Sequence, residues 1–195
     1  SVNSVISADA KNYVVGDLIS YYPLRETLKK YRITKVDAVY MTKLDEKSAY
    51  VAVKLFKEFS IGAFYSPENE SIGGLGILAE NKVDNYYMIN DESEENAGKI
   101  NAVFSDGKFV CHSLDFSGGK ALFFGYEADY AEADVSLINS AAVIRAFSYS
   151  GKFSDRLFIV NESFSSSLPP RGFSVADDPE LVFDYENGEY FKLPT

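Results

Sequence analysis

The chain has few of the side chains that most often bind transition metals. Among its 195 residues there is one histidine, His112, one cysteine, Cys111, and no tryptophan. A single cysteine excludes an intrachain disulfide. One histidine beside one cysteine is also too small a donor set for a zinc site, which takes three or four protein ligands. We therefore expect His112 to be an ordinary strand residue and not a metal ligand.

Positive charge is also scarce. The chain carries 19 lysines and arginines against 29 aspartates and glutamates, which gives a net charge of −10. This balance argues against a broad nucleic-acid-binding surface, because affinity for nucleic acids depends on lysines and arginines that neutralise phosphates. The densest group of cations is interpreted as the solvated end of a helix. Its members are Lys29, Lys30, Arg32 and Lys35.

Two further absences concern membranes and the start of the chain. No apolar run reaches the ~20 residues that a membrane-spanning helix needs. The sequence begins with Ser1 and not with Met, and its first residues do not have the pattern of a secretory signal peptide. We expect a domain that does not itself insert into a membrane and that is a fragment of a longer protein.

The first third of the chain alternates strand and helix patterns. Pro23 suits the first turn of a helix, and Leu24, Leu28 and Tyr31 follow at spacings that place them on one helical face. Strands that alternate with helices are typical of parallel sheets. The predicted elements are a hairpin over 2–15, a helix over 17–31, a strand within 33–41, a helix over 45–59 and a strand over 61–65.

The rest of the chain has a different pattern, in which short strands follow one another closely. Turn residues such as Asp106 and Gly107 separate three of these strands, and Asn187 and Gly188 favour a tight hairpin near the end. We find no internal repeat and no linker, so a single domain over 1–195 is expected. The predicted elements are strands over 83–89, 100–104, 108–114 and 120–124, a helix over 129–138, strands over 142–147 and 157–160, and a hairpin over 181–193.

The order of these elements resembles the metallo-β-lactamase fold, and most closely the β-lactamase-like domain of the ComEC family of DNA-uptake proteins. The most specific segment is 24–42, where a leucine-containing helix leads into a strand with Lys35, Asp37 and Val39 and ends at Thr42. The segment 120–125 is similar to the family strand that ends in Thr-Gly-Asp, and 184–190 is similar to its closing hairpin. The resemblance implies an α/β (α+β) fold, an αββα sandwich of mixed sheets flanked by helices.

The metal ligands of that family are substituted throughout. Active relatives follow the Thr or Ser with His-x-His/Asp-x-Asp-His, and a hydrolytic metal site needs several such ligands with one position left open for water. Only Asp45 keeps a residue type seen in some relatives. The vestigial motif positions are Lys43, Asp45, Lys47 and Ser48 in this motif, Tyr126 in place of the bridging carboxylate, and Ser148 and Tyr149 in place of two histidines.

Three functions are compatible with these substitutions. The first is a pseudoenzyme with no catalytic residue, metal or cofactor, which has a structural or binding role beside other domains of a ComEC-like membrane protein. The resemblance then implies the extracellular face of a bacterial membrane, with a cytoplasmic location as the alternative. The second is a residual phosphodiesterase or nuclease that uses Asp45 and Asp129 with Mg²⁺ or Mn²⁺. The third is a non-catalytic nucleic-acid-holding module, which the net charge disfavours. Its cations would be Lys43, Lys47, Lys29, Lys30 and Arg32.

Overall fold

The computed structural model is a mixed α+β structure whose chain divides into two compact units, residues 3–93 and 94–195. The structure describes residues 3–67, 72–90, 100–116, 119–125, 142–144, 158–160, 172–174, 180–186 and 189–194. The expected helix over 129–138 therefore lies outside the described residues. The expectation of a single domain remains a prediction.

The described residues of the first unit form a five-stranded sheet, a two-stranded pair and three helices. The strands follow the order β1-β2-β4-β6-β7, and two short strands, β3 and β5, pair with each other. The elements are β1 (Asn3–Ala8), β2 (Lys11–Gly16), α1 (Tyr21–Lys30), β3 (Lys35–Val36), β4 (Ala38–Met41), α2 (Glu46–Glu58), β5 (Ser60–Ile61), β6 (Phe64–Pro67), α3 (Ile72–Glu80) and β7 (Tyr86–Ile89).

The predicted hairpin at the start of the chain is confirmed. β1 and β2 are antiparallel, with Asn3 opposite Gly16 and Ala8 opposite Lys11. The connecting residues Asp9 and Ala10 have φ angles of 50° and 60°. Because Ala8 pairs with Lys11, the turn is two residues long. Positive φ at both of its residues matches the twist of two antiparallel strands.

The first helix is shorter than the sequence pattern predicts. It begins at Tyr21 and ends at Lys30, so the prediction of a start at Asp17 and an end at Tyr31 is wrong at both boundaries. Asp17 is fully buried before the helix, and Leu18, with φ of 51°, turns the chain. Leu24 and Leu28 are buried as expected, but Tyr31 is 45% exposed. A helix too short to include Tyr31 does not carry that ring onto its apolar face.

The alternation of strand and helix produces the predicted parallel sheet. β2, β4, β6 and β7 run parallel to one another. The three helices and one face of this sheet share a single apolar core, which places the helices on the same side of the sheet. Core residues include Val14, Val39, Met41 and Phe64 from the strands, Leu24 and Leu28 from α1, Ala49, Ala52 and Leu55 from α2, and Leu78 from α3.

The opposite face of the sheet carries a row of tyrosines. Tyr40, Tyr65 and Tyr87 occupy matched positions on β4, β6 and β7. Their rings stack in sequence, with centroids 5.0 Å apart between Tyr40 and Tyr65 and 5.4 Å apart between Tyr65 and Tyr87. Side chains alternate across a strand, so this row follows directly from the position of each tyrosine beside a core residue.

The second unit contains a six-stranded sheet with the order β13-β12-β11-β10-β9-β8. The three antiparallel strands predicted from the sequence are confirmed, with Asp106 and Gly107 in the turn between the first two. The next three strands are parallel and follow chain order. The elements are β8 (Ile100–Ser105), β9 (Lys108–Phe116), β10 (Gly119–Phe124), β11 (Ala142–Ile144), β12 (Phe158–Val160), β13 (Gly172–Ser174) and a hairpin of β14 (Phe183–Glu186) and β15 (Glu189–Lys192).

Candidate functional site

The segment that joins β4 to α2 is the candidate site, because four of the vestigial positions fall within it or in the first turn of α2. It begins at Thr42, directly after the carboxyl end of a central parallel strand. Ligands of open parallel sheets bind at this edge. The position matches the sequence-based expectation.

Asp45 is the N-cap of α2. Its Oδ1 accepts a hydrogen bond from the Ser48 backbone N–H at 2.8 Å, and its own N–H donates to Ser48 Oγ at 2.9 Å. The two residues form a reciprocal capping box, which satisfies backbone donors that a helix leaves without partners at its start. Ser48 itself is fully buried. Two of the vestigial positions therefore start a helix.

The two lysines of the segment differ in their surroundings. Lys43 Nζ lies 3.2 Å from Asp45 Oδ2, so the second oxygen of the capping carboxylate also has a partner. Lys47 lies in the first turn of α2 and is exposed. Lys43 is half-buried, unlike Lys47. A cation paired with Asp45 works against the binding of a metal cation there.

The electrostatic state of Asp45 reflects these contacts. Burial acts to raise the pKa of Asp45, but the hydrogen bond from the Ser48 N–H and the Lys43 ammonium outweigh it, so the pKa lies below its usual 3.8. The carboxylate is thus ionised at neutral pH and held as a hydrogen-bond acceptor.

We expect Asp45→Ala to destabilise the protein by about 1 kcal/mol at pH 7, the usual loss for a removed N-cap. The pKa of Asp45 is lower in the folded state, so its contribution is complete above the unfolded-state pKa of about 4 and is lost as the pH falls through the folded-state pKa. Urea unfolding at pH 7 and at pH 3 checks this. Asp45→Asn, which retains a capping oxygen, is the control and should cost less than alanine. If the free energy of unfolding of Asp45→Ala differs from that of wild type by the same amount at pH 7 and at pH 3, the prediction is wrong.

A buried hydrogen bond between Thr42 and Asp17, which the sequence did not predict, stabilises the start of the segment. Thr42 Oγ1 donates a hydrogen bond to Asp17 Oδ1, and Thr42 N–H donates to Gly16 O at 3.1 Å. Asp17 is fully buried and Thr42 is 6% exposed. The ends of β2 and β4 are thereby joined at the edge of the sheet where the segment begins. The available signal was Asp17 itself, a carboxylate two residues after the apolar run 13–15.

The other side of the segment packs against glycines of α3. A Cβ at Gly74 would lie 2.8 Å from Leu44 Cγ and 3.1 Å from the Asp45 carbonyl oxygen. A Cβ at Gly73 would lie 2.9 Å from Glu46 Oε1. These glycines allow α3 to approach the segment closely, and close approach is a common reason for glycine within an element. Both glycines lie within the first turn of α3.

Arg25 and Lys29 of α1 form an ion-pair network with Glu58 of α2. Glu58 lies 2.8 Å from Arg25 Nε and 2.6 Å from Lys29 Nζ, and it accepts a hydrogen bond from Tyr21. These donors, Arg25 foremost, lower the pKa of Glu58 to about 2. Lys29 and Lys30 lie in the last turn of α1, as the sequence predicts for a helix end. Arg32 follows that end with φ of 57° and is exposed.

The remaining residues singled out from the sequence do not join this segment. His112 is fully buried in β9, and its ring lies 4.8 Å from that of Phe109. Cys111 is buried beside it, and burial raises the pKa of its thiol to about 12. Tyr126, Ser148, Tyr149 and Asp129 lie outside the described residues.

Within the described ranges, no three or more histidine, cysteine, aspartate or glutamate residues lie close enough together to hold a metal ion. In the same part of the chain, no helix is both long and apolar enough to cross a membrane. Comparison of the chain with protein-family models, curated proteins and solved structures gave no match.

Proposed function

We propose that the chain is a metallo-β-lactamase-like domain without metal chemistry, with a structural or binding role in a ComEC-like DNA-uptake protein. The observation that carries the proposal is the set of contacts that the Asp45 carboxylate makes. It is the one residue of ligand type at the first motif, and both of its carboxylate oxygens are engaged, by the Ser48 N–H and by Lys43. An acceptor held in this way serves helix initiation.

The donor set at the segment does not fit a hydrolytic metal ion. Such an ion takes neutral imidazoles or carboxylates and keeps one position open for water. Lys43 is a cation that pairs with Asp45, Lys47 is an exposed cation, and Ser48 is buried in the capping box. The segment therefore does not supply the ligands of a hydrolytic metal ion.

The arrangement of the two sheets supports the fold part of the proposal. In the first unit one antiparallel pair of strands is followed by parallel strands, and in the second unit three antiparallel strands are followed by parallel strands that add in chain order. Two mixed sheets, with helices on one face in the unit where helices are described, are the components of the proposed αββα sandwich.

Metal analysis of the purified protein tests the absence of metal chemistry. We expect substoichiometric zinc, iron and manganese, no change in the unfolding temperature on adding Mg²⁺ or Mn²⁺, and no metal-dependent cleavage of DNA or a generic phosphodiester. A stoichiometric transition metal would overturn the proposal.

Variants at Asp45 separate capping from metal binding. If Asp45 is only a cap, Asp45→Asn retains most of the stability, and metal content stays low in both the asparagine and alanine variants. Metal-dependent hydrolysis that Asp45→Ala abolishes would instead support the residual phosphodiesterase. The proposed parentage has a separate check, because apolar segments of ~20 residues encoded beside this domain are expected for a part of a membrane protein.

A further inference from the structure

Helices α1 and α2 are basic, although the chain as a whole is acidic. Together they contain six lysines and arginines and three glutamates, a net charge of +3. The whole chain has 19 lysines and arginines against 29 aspartates and glutamates, a net charge of −10. Local positive charge of this kind attracts a negatively charged partner to these helices.

The cations that lack an acidic partner concentrate on α2. Lys47, Lys54 and Lys57 are exposed on this helix, and the structure gives them no ion pair with a described carboxylate. Lys57 instead donates to Asn81 Oδ1 at 2.8 Å. Arg25 and Lys29 of α1 are by contrast committed to Glu58. The α2 lysines therefore retain positive charge available to a partner.

Exposed tyrosines lie among these lysines. Tyr50 lies between Lys47 and Lys54 on the solvent side of α2 and is 57% exposed, while Tyr22 of α1 is 69% exposed. Lys54 Nζ lies 5.7 Å from the centre of the Tyr22 ring, which joins the two helices into one surface. We call this surface, formed by Tyr22, Lys47, Tyr50, Lys54 and Lys57, the helical face.

We propose that the helical face docks on a membrane surface rich in anionic phospholipid. Lysines near such a surface are attracted by its negative potential, and tyrosine rings favour the headgroup region, where one end of the ring is apolar and the other wet. A lipid surface offers negative charge over its whole plane, so the three lysines spread along α2 need no individually matched partners.

A single-stranded nucleic acid fits the same charges less well. Nucleic-acid-binding surfaces of this type stack bases on open aromatic faces. The Tyr22 ring already has Lys54 over its face and the edge-on ring of Tyr21 at 5.5 Å. Its capacity to accept a base is therefore reduced, whereas its exposed edge and hydroxyl remain suited to a headgroup layer.

Vesicle co-sedimentation of the intact chain tests the proposal. Vesicles of phosphatidylcholine with an equal amount of phosphatidylglycerol should bind the protein at low ionic strength, less at about 0.15 M salt, and phosphatidylcholine alone should not bind it. The double variant Lys47→Glu/Lys54→Glu should lose at least ~30-fold in affinity, as expected when two lysines leave an anionic surface. Tyr50→Ser should weaken binding without altering its salt dependence.

The matched control reverses two exposed lysines elsewhere. Lys11→Glu/Lys108→Glu changes the net charge by the same amount at residues of the β1–β2 and β8–β9 hairpins. It should bind anionic vesicles within ~3-fold of wild type, because its changes lie outside the helical face. Lys47→Gln/Lys54→Gln repeats the test with neutral side chains should the reversed pair fail to fold.

Three results would overturn the proposal. The first is no binding to anionic vesicles at low ionic strength. The second is an equal loss of binding in the helical-face variant and in the control. The third is tighter binding to a single-stranded oligonucleotide than to the vesicles in the same buffer. Since none of these measurements depends on metal content, the outcome is independent of the function proposed above.

Discussion

Replacing Gly62 with alanine is expected to lower the free energy of unfolding by about 3 kcal/mol. A Cβ at this position would lie inside the van der Waals distance of the Asp37 carbonyl oxygen and 3.3 Å from its carbonyl carbon. These are backbone atoms that hydrogen bonds hold in place: Gly62 N–H donates to Val36 O at 2.9 Å, and Asp37 N–H donates to Asn12 O at 2.7 Å. The chain between β3 and β4 would have to move away from the chain between β5 and β6.

Urea-induced unfolding measures this loss, and amide hydrogen exchange locates it in the first unit. Gly76→Ala is the matched control, because position 76 is exposed on α3 and a Cβ there meets nothing within 4 Å. This variant should be about 0.5–1 kcal/mol more stable than wild type, since alanine is favoured over glycine inside a helix. If Gly62→Ala has the same midpoint of urea unfolding as wild type, the backbone at Gly62 and the backbone at Asp37 are not held together.

Thr42→Val is expected to cost about 2–3 kcal/mol, the second-largest effect. Valine has nearly the shape of threonine but cannot donate the hydrogen bond that Thr42 Oγ1 gives to Asp17 Oδ1. A hydrogen bond to a charged group is worth about 1.5–3 kcal/mol, and a buried carboxylate that loses a donor keeps its desolvation cost. Asp17 is fully buried, so water does not replace the lost donor without local opening.

Thr42→Ser provides the comparison for this prediction. Serine keeps the hydroxyl and loses one methyl group, for which about 1 kcal/mol is expected. The valine variant should therefore unfold at a lower urea concentration than the serine variant, although it is the better match in volume. The reverse order would mean that packing, and not the hydrogen bond to Asp17, governs this position.

Local signals in the sequence predicted much of the first unit. The segment 45–59 has a capping residue, a continuous apolar stripe and no internal glycine or proline, and α2 extends over Glu46–Glu58 with Asp45 and Phe59 as its caps. The hairpin over 2–15 was predicted for a similar reason, because short-range turn chemistry specifies it. The predicted helix over 17–31 was too long at both ends, because contacts with other elements of the fold decide where α1 begins and ends. The burial of Asp17 against Thr42 ends the extended chain before a helix can begin.

The sequence predicted the residue types of the candidate site and one of its roles, but not its long-range contacts. The types of residue at 43, 45, 47 and 48 could be read directly, and those types already argue against a metal. That Asp45 caps a helix could also be anticipated from its place before an apolar periodic run. The partnership of Asp17 with Thr42 could not, because it joins residues 25 positions apart across two strand ends.

The sequence by itself determined which side chains are scarce, namely histidine and cysteine, with one of each, and positive charges, which acidic residues outnumber. It also determined the alternation of strands and helices, through side-chain periodicity. Only the tertiary structure decided which of these residues meet. It buried Asp17 beside Thr42, brought Lys43 onto the capping carboxylate, and placed Tyr22 of α1 beside Lys54 of α2. The physical reason is that periodicity and capping depend on neighbours within one turn or one strand. Contacts between elements depend on strand order and helix packing, which short-range patterns do not encode.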